Sequence, residues 1–317
     1  MSPKSCDDIG RDILIIGGGV MGLSTAWHLL NDGRNNVTIC DSQDDVAPSR
    51  DVSKILRIDY PDPERMKEVM RSKSLWENDP VFNDYYKRTG RVVAYSKAHV
   101  ETLLGIDFAR SQLGLPPRIR QRAQLLEELY HSAQVTSDMT VVYNEDDGVV
   151  DWTGAMKSVK EDCLKKGGRF RDDRVVRMEV NRSGKVQTVV TSTGSINTEN
   201  TEIILAAGPW IMQILEASSI QQPPPSRAPT ATGIFSFSIE LDGEQWKRYG
   251  DLPVKSDVGV GTYSKCTSIW LTPRKANSFV TRKSQVLQNL HGSSPSKTRR
   301  RKRQYLRHGI PRILIWR

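Results

Sequence analysis

The sequence predicts an α/β fold built on a parallel sheet flanked by helices, and three features of its first residues carry that prediction. A run of four apolar residues at 13–16 reads as a strand buried on both faces. Glycines at 17, 19 and 22 follow in the G-x-G-x-x-G spacing and open an amphipathic helix. A second apolar run, "VTIC", then closes on Asp41, 19 residues after Gly22. Strand, glycine turn, helix, strand and acid in that order form the opening unit of a doubly wound, Rossmann-like dinucleotide-binding domain.

Each residue type has a physical task in that unit. Gly17 permits the tight turn, Gly19 lets backbone approach a pyrophosphate, and Gly22 allows the helix to pack closely on the strand. The phosphates sit at the positive end of the helix dipole. The Asp41 carboxylate accepts hydrogen bonds from ribose hydroxyls and repels the extra phosphate of NADP. These residues alone suit FAD and NAD equally.

Further along, residues 62–90 read as helical, with Met66, Val69, Met70 and Trp76 forming a stripe, and "RVVAYS" at 91–96 reads as a strand. A second helical stretch, 97–113, ends before Pro116 and Pro117. "TVVYNEDDGVVDWTGAM" passes from an alternating run through an Asp-Gly turn into a helix reaching residue 166. Residues 174–207 hold two or three short strands, a small β-meander, and then a buried strand at 202–207. "QQPPPSRAP" marks a linker, residues 232–241 suggest another strand, and periodicity fades beyond 266.

Composition narrows the function classes. Of 317 residues 37% are hydrophobic, enough for a sizeable core, yet no run of about 18 apolar residues occurs. An acidic start without a cleavage site predicts neither a secretory signal nor a membrane span, so the expected location is cytoplasmic. The four cysteines, Cys6, Cys40, Cys163 and Cys266, stand far apart with no C-x-x-C pair, which fits a reducing compartment and gives no metal framework. The five histidines show no metal or triad spacing, and His28 reads as a structural residue of the first helix.

The net charge of +9 is concentrated rather than spread. The 60 residues after Asp257 hold 14 of the 46 Lys and Arg and no carboxylate, so the preceding chain is slightly acidic. A shifted reading frame, a retained intron or an alternative splice accounts for a stretch of that composition, and the basic run "TRRRKRQYLR" reads alternatively as a nuclear signal or nucleic-acid patch. The disordered-tail reading is preferred, and a nucleic-acid partner is not expected.

Three segments, "PSRDVSKILRIDY", "GVVDWTGAM" and "TEIILAAGPWI", taken with the glycine fingerprint, make residues 11–264 resemble the D-amino-acid-oxidase-like superfamily of FAD-dependent amine oxidases. The resemblance is to the branch of sarcosine, pipecolate and saccharopine oxidases and the fungal fructosyl amino acid oxidases. It implies FAD as cofactor, held by Gly17, Gly19, Val20, Met21, Gly22, Asp41, Ser42, Ser49, Asp51, Ser53, Lys54, Val175, Val176, Ala206, Ala207, Gly208 and Trp210. It implies catalytic roles for Lys54, a cation beside the flavin ring, and Arg57, whose planar guanidinium suits a substrate carboxylate. The reaction implied is oxidation of the C–N bond of an amino-acid-derived secondary amine, with molecular oxygen as acceptor and hydrogen peroxide as product. The implied layout is an FAD-binding domain from 1–95 and 141–222, an incomplete mixed or antiparallel substrate-domain sheet from 96–140 and 223–265, and a basic tail over 266–317.

The chain departs from that family after "GVGTYSK". The family's later part includes returning strands of the substrate sheet, a catalytic Lys in some branches and a Cys motif that holds the flavin covalently; Cys266 lies in no such motif. Three readings of function follow: an active flavin amine oxidase, an FAD-binding remnant without turnover, and a protein that binds nucleic acid through its basic stretch.

Overall fold

In the computed structural model, residues 11–43, 47–50, 53–130, 139–221, 235–240, 242–258, 267–271, 278–283 and 314–315 are described. Strand β1 (Asp12–Ile16), helix α1 (Val20–Asn31) and strand β2 (Val37–Asp41) follow one another as the sequence pattern predicts. After them come β3 (Ser53–Leu56), α2 (Pro63–Asn78), β4 (Tyr86–Arg88), β5 (Arg91–Tyr95), α3 (Val100–Gln112), β6 (Arg120–Gln121), α4 (Leu125–Tyr130), β7 (Thr140–Asn144), β8 (Gly148–Asp151) and α5 (Trp152–Lys165). β9 (Arg169–Asp172), β10 (Val175–Val180), β11 (Val186–Thr191), β12 (Ser195–Asn197), β13 (Thr201–Leu205) and α6 (Ile211–Ala217) complete the central part. The remaining elements are β14 (Phe235–Glu240), α7 (Gly243–Tyr249), β15 (Val254–Val258), β16 (Thr267–Leu271), β17 (Ser278–Lys283) and β18 (Leu314–Ile315).

The chain divides into two units, residues 1–50, 156–231 and 288–317 in the first and 51–155 and 232–287 in the second. The first unit is built on a parallel sheet in the order β18-β13-β1-β2-β9. β1 lies in its interior, so Ile13 to Ile16 are buried on both faces and need no alternation. Helix α1 buries Leu23, Ala26, Trp27 and Leu30, the i, i+3, i+4, i+7 stripe, and the Trp27 indole N–H donates to Asp162 of α5 at 2.8 Å. The antiparallel meander β10-β11-β12 closes over Leu14, Ile16, Met178, Val189 and Leu205, with Ile211, Ile214 and Leu215 of α6 completing that core.

The second unit carries a seven-stranded sheet, β14-β17-β16-β15-β5-β7-β6, in which β15 runs parallel to β5 and the other neighbours are antiparallel. Its core joins Val93, Tyr95 and Val142 of the sheet to Leu103, Ile106 and Ala109 of α3 and Met66 of α2. A separate antiparallel sheet, β3-β8-β4, holds β3 by the register Lys54 to Val150.

Three expectations meet a different structure. The helix expected over 62–90 stops at Asn78, because Pro80 drives the residue before it out of the helical region: Asp79 is extended at φ −83°, ψ 128°. Residues 86–88 then pair with β8 as β4. Residues 51–95, which the resemblance groups with the cofactor domain, cluster with the second unit, since β3 and β4 pair with β8, and β5 pairs with β7 and β15. Within the basic stretch, where the sequence predicts no regular element, β16, β17 and β18 form; the rest of that stretch lies outside the described residues.

Asp173, in the turn after β9, fastens the meander to the parallel sheet. Its buried carboxylate accepts hydrogen bonds from Ser192 Oγ at 2.7 Å, from Thr193 Oγ1 and from Arg171 Nη2 at 3.0 Å. Burial pushes this carboxyl upward, but the hydroxyls of Thr191, Thr193 and Ser192 and the Arg171 guanidinium outweigh it and hold it well below the usual carboxylate range. A depressed folded-state value contributes stability above the unfolded carboxylate value near about 4 and loses it as pH falls below that. The urea midpoint is therefore expected to fall between about pH 5 and pH 2 more steeply in the wild type than in Asp173→Asn, which is also less stable at neutral pH. Equilibrium unfolding across that range checks it.

Candidate functional site

The glycine turn between β1 and α1 is a steric necessity. Gly17 stands at φ +106°, and a Cβ there would lie 2.5 Å from the Ala206 carbonyl oxygen. A Cβ at Gly22 would lie 1.8 Å from the Gly17 carbonyl oxygen, so α1 packs against the end of β1 backbone to backbone. The Gly17 N–H donates to Cys40 O at 2.8 Å, and the Ala206 N–H donates to Ile16 O at 2.8 Å, which aligns the carboxy ends of β1, β2 and β13. Around those ends gather Gly17, Gly19, Val20, Met21, Gly22, Asp41, Ala206 and Ala207. That is where an open α/β sheet binds nucleotides.

Ser49 and Arg50 join this group from the 3₁₀ turn Pro48–Arg50. Ser49 Oγ accepts from the Val20 N–H at 3.0 Å, at the first turn of α1. Arg50 Nη2 lies 3.0 Å from Asp41 Oδ2 and 3.1 Å from Gln43 Oε1, so the expected ribose acid already faces a cation. The sequence reading found Ser49 and Asp41 but not Arg50, nor Gly18, where a Cβ would meet the Asp41 side chain at 2.9 Å. Both sit inside segments whose function was recognised, but neither occupies a named motif position.

The other expected contacts fall as follows. Ser42 follows Asp41 and is half-buried. Gly208, at φ +55°, opens the 3₁₀ turn Gly208–Trp210 beyond β13. Val175 is buried and Val176 exposed at the start of β10, which the Asp173 N–H ties to Asp41 O at 3.1 Å. Asp51 lies outside the described residues. Ser53, Lys54 and Arg57 belong to the second unit, Ser53 and Lys54 within β3 and Arg57 just beyond it.

The segment after β3 is anchored from below by buried charge. Asp59 accepts from Arg110 Nη1 at 3.1 Å, Arg118 Nε at 2.8 Å, Arg118 Nη2 at 3.1 Å and Asn144 Nδ2 at 2.9 Å. Asp147 accepts from Asn144 Nδ2 at 2.8 Å, the Ile58 N–H at 2.9 Å and Arg91 Nε at 2.6 Å. Burial works against the Arg91 charge, but the facing Asp147 holds its guanidinium above its ordinary value. On this base Tyr60 packs against the core of the second unit, and Arg57 lies over its ring at 4.7 Å from the centroid, with Nε donating to Tyr60 Oη at 3.2 Å. No sequence signal marked this network, because its members lie 51 to 89 residues apart, the local pair Asn144 and Asp147 excepted.

A glycine-opened helix terminus, an acid at the end of β2 and the Ala206–Ala207 turn suit the ADP half of a dinucleotide. The family described as DAO, FAD dependent oxidoreductase, matches residues 12–309. The chain belongs to this family. L-saccharopine oxidase of Schizosaccharomyces pombe is 27% identical over 275 residues, covering 78% of this chain and 60% of that protein. Among solved structures, a mutant of amadoriase I from Aspergillus fumigatus superposes with a TM-score of 0.68 at 20% identity, over 89% of this chain and 64% of the other. A modified fructosyl peptide oxidase from Aspergillus nidulans gives 0.69 at 18% identity, over 87% of this chain and 65% of the other. The chain thus spans about three fifths of the length of the relative it matches.

FAD is accordingly the dinucleotide of this family member. Among the described residues, no three His, Cys, Asp or Glu side chains group to hold a metal ion, and no helix is long and apolar enough to cross a membrane. Cys40 and Cys163 are free and buried, and burial pushes both thiols up to about 11, which keeps them protonated and unreactive at neutral pH.

Two expected outcomes follow for this chain. Gly22→Ala forces α1 off β1, so the purified variant should carry little FAD, whereas Gly194→Ala, with open space around its Cα, should keep the wild-type flavin-to-protein ratio. Asp59→Asn strips the buried Arg110 and the largely buried Arg118 of their counter-charge and should cost about 3–5 kcal/mol in urea unfolding.

Proposed function

We propose that this chain oxidises the C–N bond of an amino-acid-derived secondary amine, with molecular oxygen as acceptor and hydrogen peroxide as product. The observation that carries this reading is Arg57: an exposed guanidinium, fixed on a core-anchored tyrosine, with no carboxylate in ion-pair range among the described residues. A pre-set cation of that shape suits bidentate capture of a free amino acid carboxylate. The names of the related proteins, a saccharopine oxidase and a fructosyl peptide oxidase, support the same substrate class.

Bound FAD supplies the acceptor for the hydride that leaves the carbon next to nitrogen. The chain's own residues do the rest. Ser49 and the first turn of α1 would hold the adenylate half, and Asp41 would reach the ribose through Oδ1, its Oδ2 being held by Arg50 and Gln43. Arg57 grips the carboxylate and so orients the neutral amine, converting a random encounter into one geometry. Lys54, in the centre of β3, would supply a fixed positive charge to the flavin ring and stabilise negative charge developing there.

The test is a purified protein scanned for flavin absorbance and assayed for peroxide on sarcosine, pipecolate, saccharopine and fructosyl amino acids. Peroxide release from one of these supports the oxidase, and bound flavin with no peroxide from any of them rejects it in favour of a flavin-binding chain without turnover. Arg57→Ala is expected to raise KM by about tenfold to a hundredfold, the worth of one charge-assisted hydrogen-bonding pair, while leaving flavin content unchanged.

A further inference from the structure

Two side chains hold one oxygen of the Asp41 carboxylate and leave the other alone. Asp41 Oδ2 accepts from Arg50 Nη2 at 3.0 Å and from Gln43 Nε2 at 3.3 Å, and Gln43 Oε1 accepts from the same Nη2 at 3.1 Å. Asp41 Oδ1 accepts no hydrogen bond among the described residues. Gln43 reaches this triangle from a left-handed backbone, φ +53°, a conformation that costs a residue with a side chain and persists where its surroundings hold it. The carboxylate lies against the glycine turn: a Cβ at Gly18 would stand 2.9 Å from Asp41 Cβ and 3.2 Å from Oδ2. The turn that carries Arg50 also sets Ser49 Oγ on the Val20 N–H, so it is tied to the amino end of α1 as well as to the end of β2. Of the other nearby acids, Asp172 of β9 is the register partner of Asp41, and Asp44, Asp45 and Asp51 lie outside the described residues. Like charges on neighbouring strands repel, so without its cation Asp41 is free to swing toward solvent.

We propose that Arg50, braced by Gln43, is a positioning residue for the cofactor: it pins Oδ2 of Asp41 and so leaves Oδ1 as a fixed acceptor for a ribose hydroxyl. This rests on the reading above that Asp41 meets the adenine ribose. Arg50 then acts through Asp41, by removing the cost of ordering the carboxylate when the nucleotide arrives. The three side chains share the first unit, so the device is independent of the substrate and of turnover.

Calorimetric titration of the full chain, freed of flavin, with ADP and with 2′,3′-dideoxyADP tests it. The two nucleotides differ only in the ribose hydroxyls, so any change in attraction for the phosphates cancels in the ratio of their affinities. The wild type should bind ADP about tenfold or more tightly, the scale of one hydrogen bond to a charged acceptor. Asp41→Ala should abolish that preference, and Arg50→Ala should reduce it to about threefold or less. Arg50→Lys, which keeps the charge but not the planar fork, should restore part of it. A preference undiminished in Arg50→Ala, including equal weakening of both nucleotides, overturns the positioning role, the latter because it marks Arg50 as a charge for the phosphates or a support for its turn. Equal binding of the two nucleotides by the wild type overturns the ribose reading of Asp41 and the proposal with it.

Discussion

Everything in the first unit depends on how closely α1 approaches β1. The Gly17 carbonyl oxygen occupies the space where any side chain at position 22 would begin. That contact sets the direction of α1, and through it the place where the helix presents its amide groups. It also sets the relation of Gly17 to Ala206, which shares the same crowded corner. A larger residue at either glycine would leave the apolar stripe of α1 able to find a core but unable to keep its amino terminus at the ends of β1, β2 and β13.

The second unit solves a different problem by different means. It holds a short segment, Arg57 to Tyr60, of which only Arg57 is exposed, in one conformation, and it does so with buried ions rather than with backbone crowding. Asp59 and Asp147 satisfy guanidinium groups, an amide side chain and a backbone N–H that would otherwise be desolvated without partners. Such a network is expensive to break and so favours one arrangement over its competitors. The result is that an exposed cation, Arg57, is supported by charges that never reach it.

What the sequence revealed tracks how local the physics is. The first strand, helix and strand were legible because the three fingerprint glycines, Gly17, Gly19 and Gly22, have a steric meaning that holds in any protein. The Met66 to Trp76 stripe pointed to α2, yet only Met66 is fully buried, and the helix ends at Pro80's neighbour rather than near 90, since one proline outweighs the pattern on its far side. Lys54 and Arg57 were placed by resemblance rather than by periodicity. The Asp59 network escaped notice because distant chain segments must be brought together before its chemistry exists, and Arg50's pairing with Asp41, nine residues away, because it occupies no motif position.

The order of chain segments also bears on how the molecule is made. β1 is flanked by β2, which follows it at once, and by β13, which lies at residues 201–205; β2 in turn pairs with β9 at 169–172. β5 waits for β15, at 254–258. Neither unit is contained in an unbroken stretch of polypeptide, so a ribosome releasing the chain from its amino terminus completes neither until well past its midpoint. Through that interval the run Ile13 to Ile16, buried at the end, has an unpaired edge, apolar and without a charge inside it, the kind of segment that joins to its copies in other nascent chains. The first strand thus waits for residues 201–205 before its second edge is covered, a demand set by the interleaving of the two units rather than by the stability of either.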